Sequence, residues 1–182
     1  NNAVTSDLFI PADLKEFLKE NSRVSWNNLL KRSDYNGDEQ KLIRDIMDDI
    51  RRKIETSANV AIFLNSTTKN KPYSFGGETL KLLYVSGTEL RGDEDFEKNI
   101  FSVVEEMTYS FHHEGKRIFA FRPDLSFFIN GIFLGYAELK SNFTNQTAKN
   151  NGRNKVITDY LEAVWEYTKI ANGNDVQQSL RR

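Results

Sequence analysis

Arg122-Pro123-Asp124, thirteen further residues, and then Glu138-Leu139-Lys140 set two carboxylates and an amine at a spacing that two neighbouring strands would bring together. Glu138 and Lys140 are two apart and share a strand face. Burying two carboxylates in an otherwise apolar sheet is unfavourable unless a cation neutralises them, and hard oxygen ligands suit Mg2+ or Mn2+. Such an ion polarises a phosphodiester and activates water, while an adjacent Lys orients that water or offsets developing negative charge. The chemistry implied is phosphodiester hydrolysis. A bare Glu-x-Lys carries little weight, since one arises by chance about every 200 residues. Asp13-Leu14-Lys15 is a similar triplet on a helix with no partner carboxylate, and is assigned to the surface. On the pattern alone, a Lys140 that simply pairs with a carboxylate at a strand end is an equally good account.

The hairpin between the two half-motifs decides whether they meet. Asn130-Gly131 is a strong turn signal between the apolar runs 117–129 and 133–139. A two-residue loop there pairs Asp124 with Ala137 and turns Glu138 to the opposite face. A three-residue or bulged turn closed by Gly131 pairs Asp124 with Tyr136 and aligns it with Glu138 and Lys140, so the bulged form is predicted. Both runs are apolar on two faces, which predicts a central sheet covered on both sides. Upstream, Phe101, Val103, Met107, Tyr109 and Phe111 alternate with polar residues and predict one long strand.

Helices are predicted around this sheet. Pro11 opens a run with Leu14, Phe17 and Leu18 at helical spacing, and Trp26, Leu29 and Leu30 continue the apolar face. Asn36-Gly37 marks a loop, after which Leu42, Ile43, Ile46, Met47, Ile50 and Ile54 define an amphipathic helix. Residues 60–64 read as a short strand, 65–77 as an exposed loop and 80–85 as a strand. Residues 141–152 are polar, and Val156, Ile157, Tyr160, Leu161, Val164, Tyr167 and Ile170 mark a closing helix that ends near Gly173.

The chain has 182 residues, 38% hydrophobic and 12% aromatic, enough for one domain with a core. A formal charge of -1 means that any contact with nucleic acid is local, because a binder working by phosphate neutralisation alone is basic overall. No apolar run of membrane-spanning length and no signal-peptide pattern occurs, so the chain reads as soluble and cytoplasmic, with no membrane partner. Zero Cys excludes disulfides and thiolate metal sites. Sequons at Asn65, Asn142 and Asn145 read as unmodified.

The stretch from Arg122 through Asn130-Gly131 to Ala137-Glu138-Leu139-Lys140 resembles the PD-(D/E)xK nucleases, specifically the N-terminal nuclease domain of the restriction subunit (HsdR) of type I restriction-modification enzymes. The run from Ile10 to Leu18, then Trp26 to Leu29, Asn99 ahead of the Phe101 strand, and Phe143 to Thr147 resemble that family in the same order. The resemblance implies an α/β fold (an α+β mixed sheet) with a restriction-endonuclease-like core, in which a central mixed β-sheet is flanked by helices. It implies a single nuclease domain over 1–182, with a helical part at 8–56 and a nuclease core at 58–172, excised from a larger chain. It further implies a Mg2+-dependent double-strand DNA endonuclease, with Mn2+ able to substitute. Asp124 and Glu138 carry over as metal ligands and Lys140 as the catalytic lysine.

The partners so implied are double-stranded DNA, a helicase-like translocase domain in the parent chain, and methyltransferase and specificity subunits. ATP would act only through that translocase, since this chain holds no G-x-x-x-x-G-K-[ST] loop. Two departures stand out. Val156, not Gln, lies four residues before Tyr160, which weakens the match of Tyr160 to the family's Gln/Tyr pair, and the family's acidic residue on an N-terminal helix would fall at or before the first residues. Gln146, Lys149, Arg153 and Lys155, with Tyr160, are candidate nucleic-acid contacts, balanced by a solvated loop and helix start. Glu105 reads as an acid reaching water, His112-His113 as a hairpin end, and Arg51-Arg52-Lys53 as a polar helix end. The competing reading is a nuclease-fold module that binds DNA or docks subunits without catalysis.

Overall fold

The computed structural model describes residues 4–5, 8–57, 59–69, 72–85, 93–113 and 116–139. The chain divides into two compact units, Asn1–Val103 with Phe127–Gly135 and Val104–Ser126 with Tyr136–Arg182. The described residues combine helices with small antiparallel sheets, which fits an α/β fold.

The first unit opens with α1 (Pro11–Asn21), whose proline sits where a first turn needs no N–H. Asp13, Leu14, Phe17 and Leu18 of α1 are buried. Asp13 thus corrects its surface assignment: it is 5% exposed and accepts a hydrogen bond from the Ser102 hydroxyl. α2 (Arg23–Leu30) buries Trp26 and Leu29. The bend at Asn36-Gly37 has φ 46° and 84°, the left-handed values these two residue types tolerate best. Asp38 then caps α3 (Glu39–Thr56) by accepting from Lys41 N–H at 2.9 Å. Leu42, Ile43, Ile46 and Ile50 form its buried stripe, as the spacing predicts. Truncating any of them to Ala removes about 2–5 kcal/mol.

The predicted strand at 60–64 is instead part of α4 (Val60–Lys69). Asn59 supplies the overlooked signal, its side-chain oxygen accepting from Ile62 N–H at 2.8 Å as an N-cap. Val60, Phe63 and Leu64 then turn one face inward, and helical spacing decides how the short apolar run folds. The predicted loop at 65–77 is replaced by the end of α4 and by β1 (Tyr73–Phe75), which pairs antiparallel with β2 (Glu78–Leu80) around Gly76-Gly77. Beyond Leu80 the predicted strand does not form. Side chains meet that backbone's hydrogen bonds: Lys81 N–H donates to Ser22 Oγ, Leu82 O accepts from Asn130 Nδ2, and Tyr84 N–H and O pair with the Asn99 amide.

β3 (Phe101–Glu105), β6 (Leu125–Ile129) and β7 (Ile132–Ala137) form a three-stranded sheet with β6 in the middle. Asn130 N–H donates to Ile100 O and Glu106 N–H to Asp124 O, so β3 runs antiparallel to β6. The long strand predicted from Phe101 is broken at Glu106, whose φ is 47°, and resumes as β4 (Tyr109–His113), paired with β5 (Lys116–Phe121). The strand predicted over 117–129 is likewise interrupted at Arg122–Asp124, where Pro123 has no N–H to give a ladder.

The turn between β6 and β7 corrects the bulged form. Strand runs to Ile129 and resumes at Ile132, with Asn130 at φ 50° and Gly131 at φ 75°, a two-residue turn with both central residues left-handed. Asn130 is held in this conformation by three side-chain hydrogen bonds, accepting from Ile100 N–H and donating to Leu82 O and Asn99 Oδ1. Gly131 lies under the start of α1, where its carbonyl accepts from Ile10 N–H at 2.9 Å. The sheet face expected to be covered carries exposed apolar side chains, Phe101, Val103, Phe127 and Leu134 among them.

Candidate functional site

Asp124 and Glu138 stand at the end of the β6–β7 hairpin away from its turn, each just outside a strand. Both belong to the second unit and both are half-buried. Regular pairing ends at Ala137, so the alternation that would send Glu138 to the opposite face is not imposed beyond it. The Asp124 carboxylate instead accepts a hydrogen bond from Leu139 N–H through Oδ2, at 2.5 Å. That bond ties Asp124 to the main chain between Glu138 and Lys140, even though the two-residue turn gives the even register. Lys140 lies outside the described residues, as do Gln146, Lys149, Arg153, Lys155 and Tyr160.

The segment ahead of Asp124 is held from its other side. Glu106 N–H donates to Asp124 O at 3.0 Å, and the Glu106 carboxylate lies 3.7 Å from the Arg122 guanidinium. Pro123 between them is buried and restricts its own φ, so Arg122 and Asp124 leave a stiff link. The motif spacing by itself gives no role to Arg122 or Glu106. Arg122 stands next to the Pro-Asp pair and could have been singled out, whereas no residue pattern announces the left-handed Glu106.

The donor set fits a hard divalent ion. An ionised carboxylate has room for about four hydrogen-bonding or ligating contacts, so one accepted N–H leaves Asp124 capacity for a metal. Mg2+ commonly takes one or two carboxylates and keeps several waters. Among the described residues no group of three or more His, Cys, Asp or Glu converges as a metal cluster.

A model of the family described as "Type I restriction enzyme R protein N terminus (HSDR_N)" matches residues 12–177. The chain belongs to this family. HSDR_N membership agrees with the resemblance read from the Asp124, Glu138 and Lys140 spacing, and it spans the helical part as well as the hairpin. It makes the chain the N-terminal region of a type I restriction enzyme R protein, a component of a restriction-modification complex that works on DNA. No curated protein and no solved structure gives a match. None of the described helices of this HSDR_N chain is long and apolar enough to cross a membrane.

Proposed function

We propose that this chain is the metal-dependent endonuclease domain of a type I restriction enzyme, hydrolysing DNA phosphodiester bonds through a PD-(D/E)xK core. The observation that carries the reading is the Leu139 N–H to Asp124 Oδ2 bond, which holds the Pro-Asp half of the motif against the Glu-x-Lys half in a chain of the HSDR_N family. Asp124 and Glu138 would hold Mg2+, with Mn2+ able to replace it. When bound, the ion supplies Lewis-acid polarisation of the phosphoryl group and neutralises charge. The Asp124 position is fixed from two directions, by Leu139 N–H on its carboxylate and Glu106 N–H on its carbonyl, the kind of preorganisation that hydrolysis of a fixed phosphodiester needs. Lys140, two residues on from Glu138, would orient the attacking water and offset charge on the phosphoryl oxygens.

In the complete enzyme the domain would act beside a helicase-like translocase that uses ATP, with methyltransferase and specificity subunits choosing the DNA. A net charge of -1 favours a second reading, a docking module of the same fold without catalysis. Conversion of supercoiled plasmid by the purified chain in Mg2+ or Mn2+, against Asp124→Ala and Lys140→Ala, separates the two. Cleavage lost in both variants supports the endonuclease. Absence of both cleavage and Mn2+ binding by the parent chain leaves the docking module.

A further inference from the structure

Arg122 lies two residues before Asp124, one of the two candidate ligands, and its side chain is 61% exposed. Glu106 lies within ion-pair range, but at 3.7 Å the contact is too long for a hydrogen bond, so it does not use the donor fork of the guanidinium. Glu106 in turn is placed by an unusual backbone. A non-glycine residue at φ 47° is disfavoured, and here it is held by the N–H it donates to Asp124 O. Strain of this kind, one hydrogen bond from a candidate metal ligand, points to a local task for the bend. Asp124, Glu138 and Glu106 together make this end of the hairpin acidic, and a phosphodiester approaching it meets repulsion unless a nearby cation answers it.

From this we infer that Arg122 binds a DNA phosphate beside the Asp124–Glu138 pair, and that Glu106 occupies the guanidinium until DNA displaces it. The inference rests on the nuclease reading of the site and adds to it the phosphate contact and a control on that contact. The exchange runs in the favourable direction. A solvent-exposed ion pair without hydrogen bonds is among the weakest charge interactions, whereas a guanidinium fork on a phosphate makes two charge-assisted hydrogen bonds. Pro123 keeps Arg122 at a fixed offset from Asp124, so a phosphate held by the fork is delivered next to the acids and not elsewhere on the surface.

The test is binding of a fluorescently labelled duplex of about 30 base pairs to the purified chain, with Ca2+ replacing Mg2+ and salt varied from about 50 to 200 mM. Arg122→Gln is expected to weaken binding about 5–10-fold and to reduce the slope of log affinity against log salt by about one. Glu106→Gln is expected to strengthen binding about threefold, and that gain should vanish when Arg122→Gln is also present. Arg122→Lys, which keeps the charge and loses the fork, should keep the salt slope and lose part of the affinity. Wild-type affinity and slope in Arg122→Gln, an equal gain from Glu106→Gln in both backgrounds, or no DNA binding by the parent chain overturns the inference. Mn2+ calorimetry on the same samples keeps the two ideas apart. Loss of metal binding with Arg122 dependence intact removes the nuclease reading and leaves the phosphate contact; metal binding without Arg122 dependence does the opposite.

Discussion

Leu139 donates its backbone N–H to the Oδ2 of Asp124, fifteen residues earlier in the chain, across the open end of a hairpin whose turn holds only two residues. An acceptor on a side chain here does what the next ladder bond would otherwise do. Asp124→Asn keeps an oxygen for that bond but removes the charge, so it should fold as the parent does and lose Mn2+ binding by more than the roughly 10–100-fold typical of outer-shell changes. Calorimetry with Mn2+ on a variant of unchanged melting temperature is the check. Retained Mn2+ affinity would remove Asp124 from the ligand set.

Gly131 combines φ 75° with a neighbour that leaves no room for a side chain. An added Cβ would lie 2.4 Å from the Ile10 carbonyl oxygen and 2.7 Å from Leu14 N. Both are backbone atoms at the start of α1 and neither can swing aside. Gly131→Ala should therefore lower stability by about 2–4 kcal/mol, measured by urea denaturation.

Asn130 separates conformational from hydrogen-bonding demands. Asn130→Gly keeps the left-handed backbone and removes the three side-chain hydrogen bonds, with an expected loss of about 2–3 kcal/mol. Asn130→Asp keeps the acceptor for Ile100 N–H but turns an oxygen towards Leu82 O and Asn99 Oδ1. It should be the more destabilising of the two at neutral pH, and thermal unfolding of the pair gives the order.

Glu39 accepts from Lys19 at 2.7 Å, and that hydrogen bond, aided by the charges of Lys19 and Lys15 and opposed by desolvation, holds its carboxyl below the usual carboxylate range. A depressed carboxyl stabilises the fold above its unfolded pKa, and the contribution disappears as pH falls through the folded value. Both partners are partly exposed, which limits the effect to less than about 1 kcal/mol. Glu39→Gln should be slightly less stable than the parent at pH 7 and equal to it well below the carboxylate range, as denaturation at the two pH values would report.

Where periodicity was long and unbroken, the sequence was a good guide. Six apolar positions of α3, Leu42 to Ile54, specify one face over more than three turns, and Asn36-Gly37 and Asn130-Gly131 mark turns that only a few residue types can make. Short apolar runs misled. Residues 60–64 read equally as strand or helix, and the Asn59 cap settled the matter locally. Residues 81–85 look like a strand, but Ser22, Asn99 and Asn130 supply the hydrogen bonds a neighbouring strand would have given, and no local pattern encodes partners so distant. The burial of Asp13 is hidden from the sequence for a related reason: its partner is Ser102 of β3, far along the chain. Of the candidate site, the sequence singles out Asp124, Glu138 and Lys140, of which the described residues include the two acids. It is silent on Glu106, because a left-handed glutamate follows from the break in a strand and not from its own side chain.

The clasp of Ser22, Asn99 and Asn130 around the segment after β2 also bears on how the first unit comes apart. The amides of Lys81 and Tyr84 can exchange with solvent only when an acceptor side chain on another element lets go. Because Asn130 bonds both Leu82 and Asn99, release of the hairpin turn loosens the stretch at 82–84 in the same event. These amides, although they lie in no helix or sheet, should show hydrogen-exchange protection rising and falling together with that of the Asn130 turn, as one opening unit assembled from remote pieces of chain.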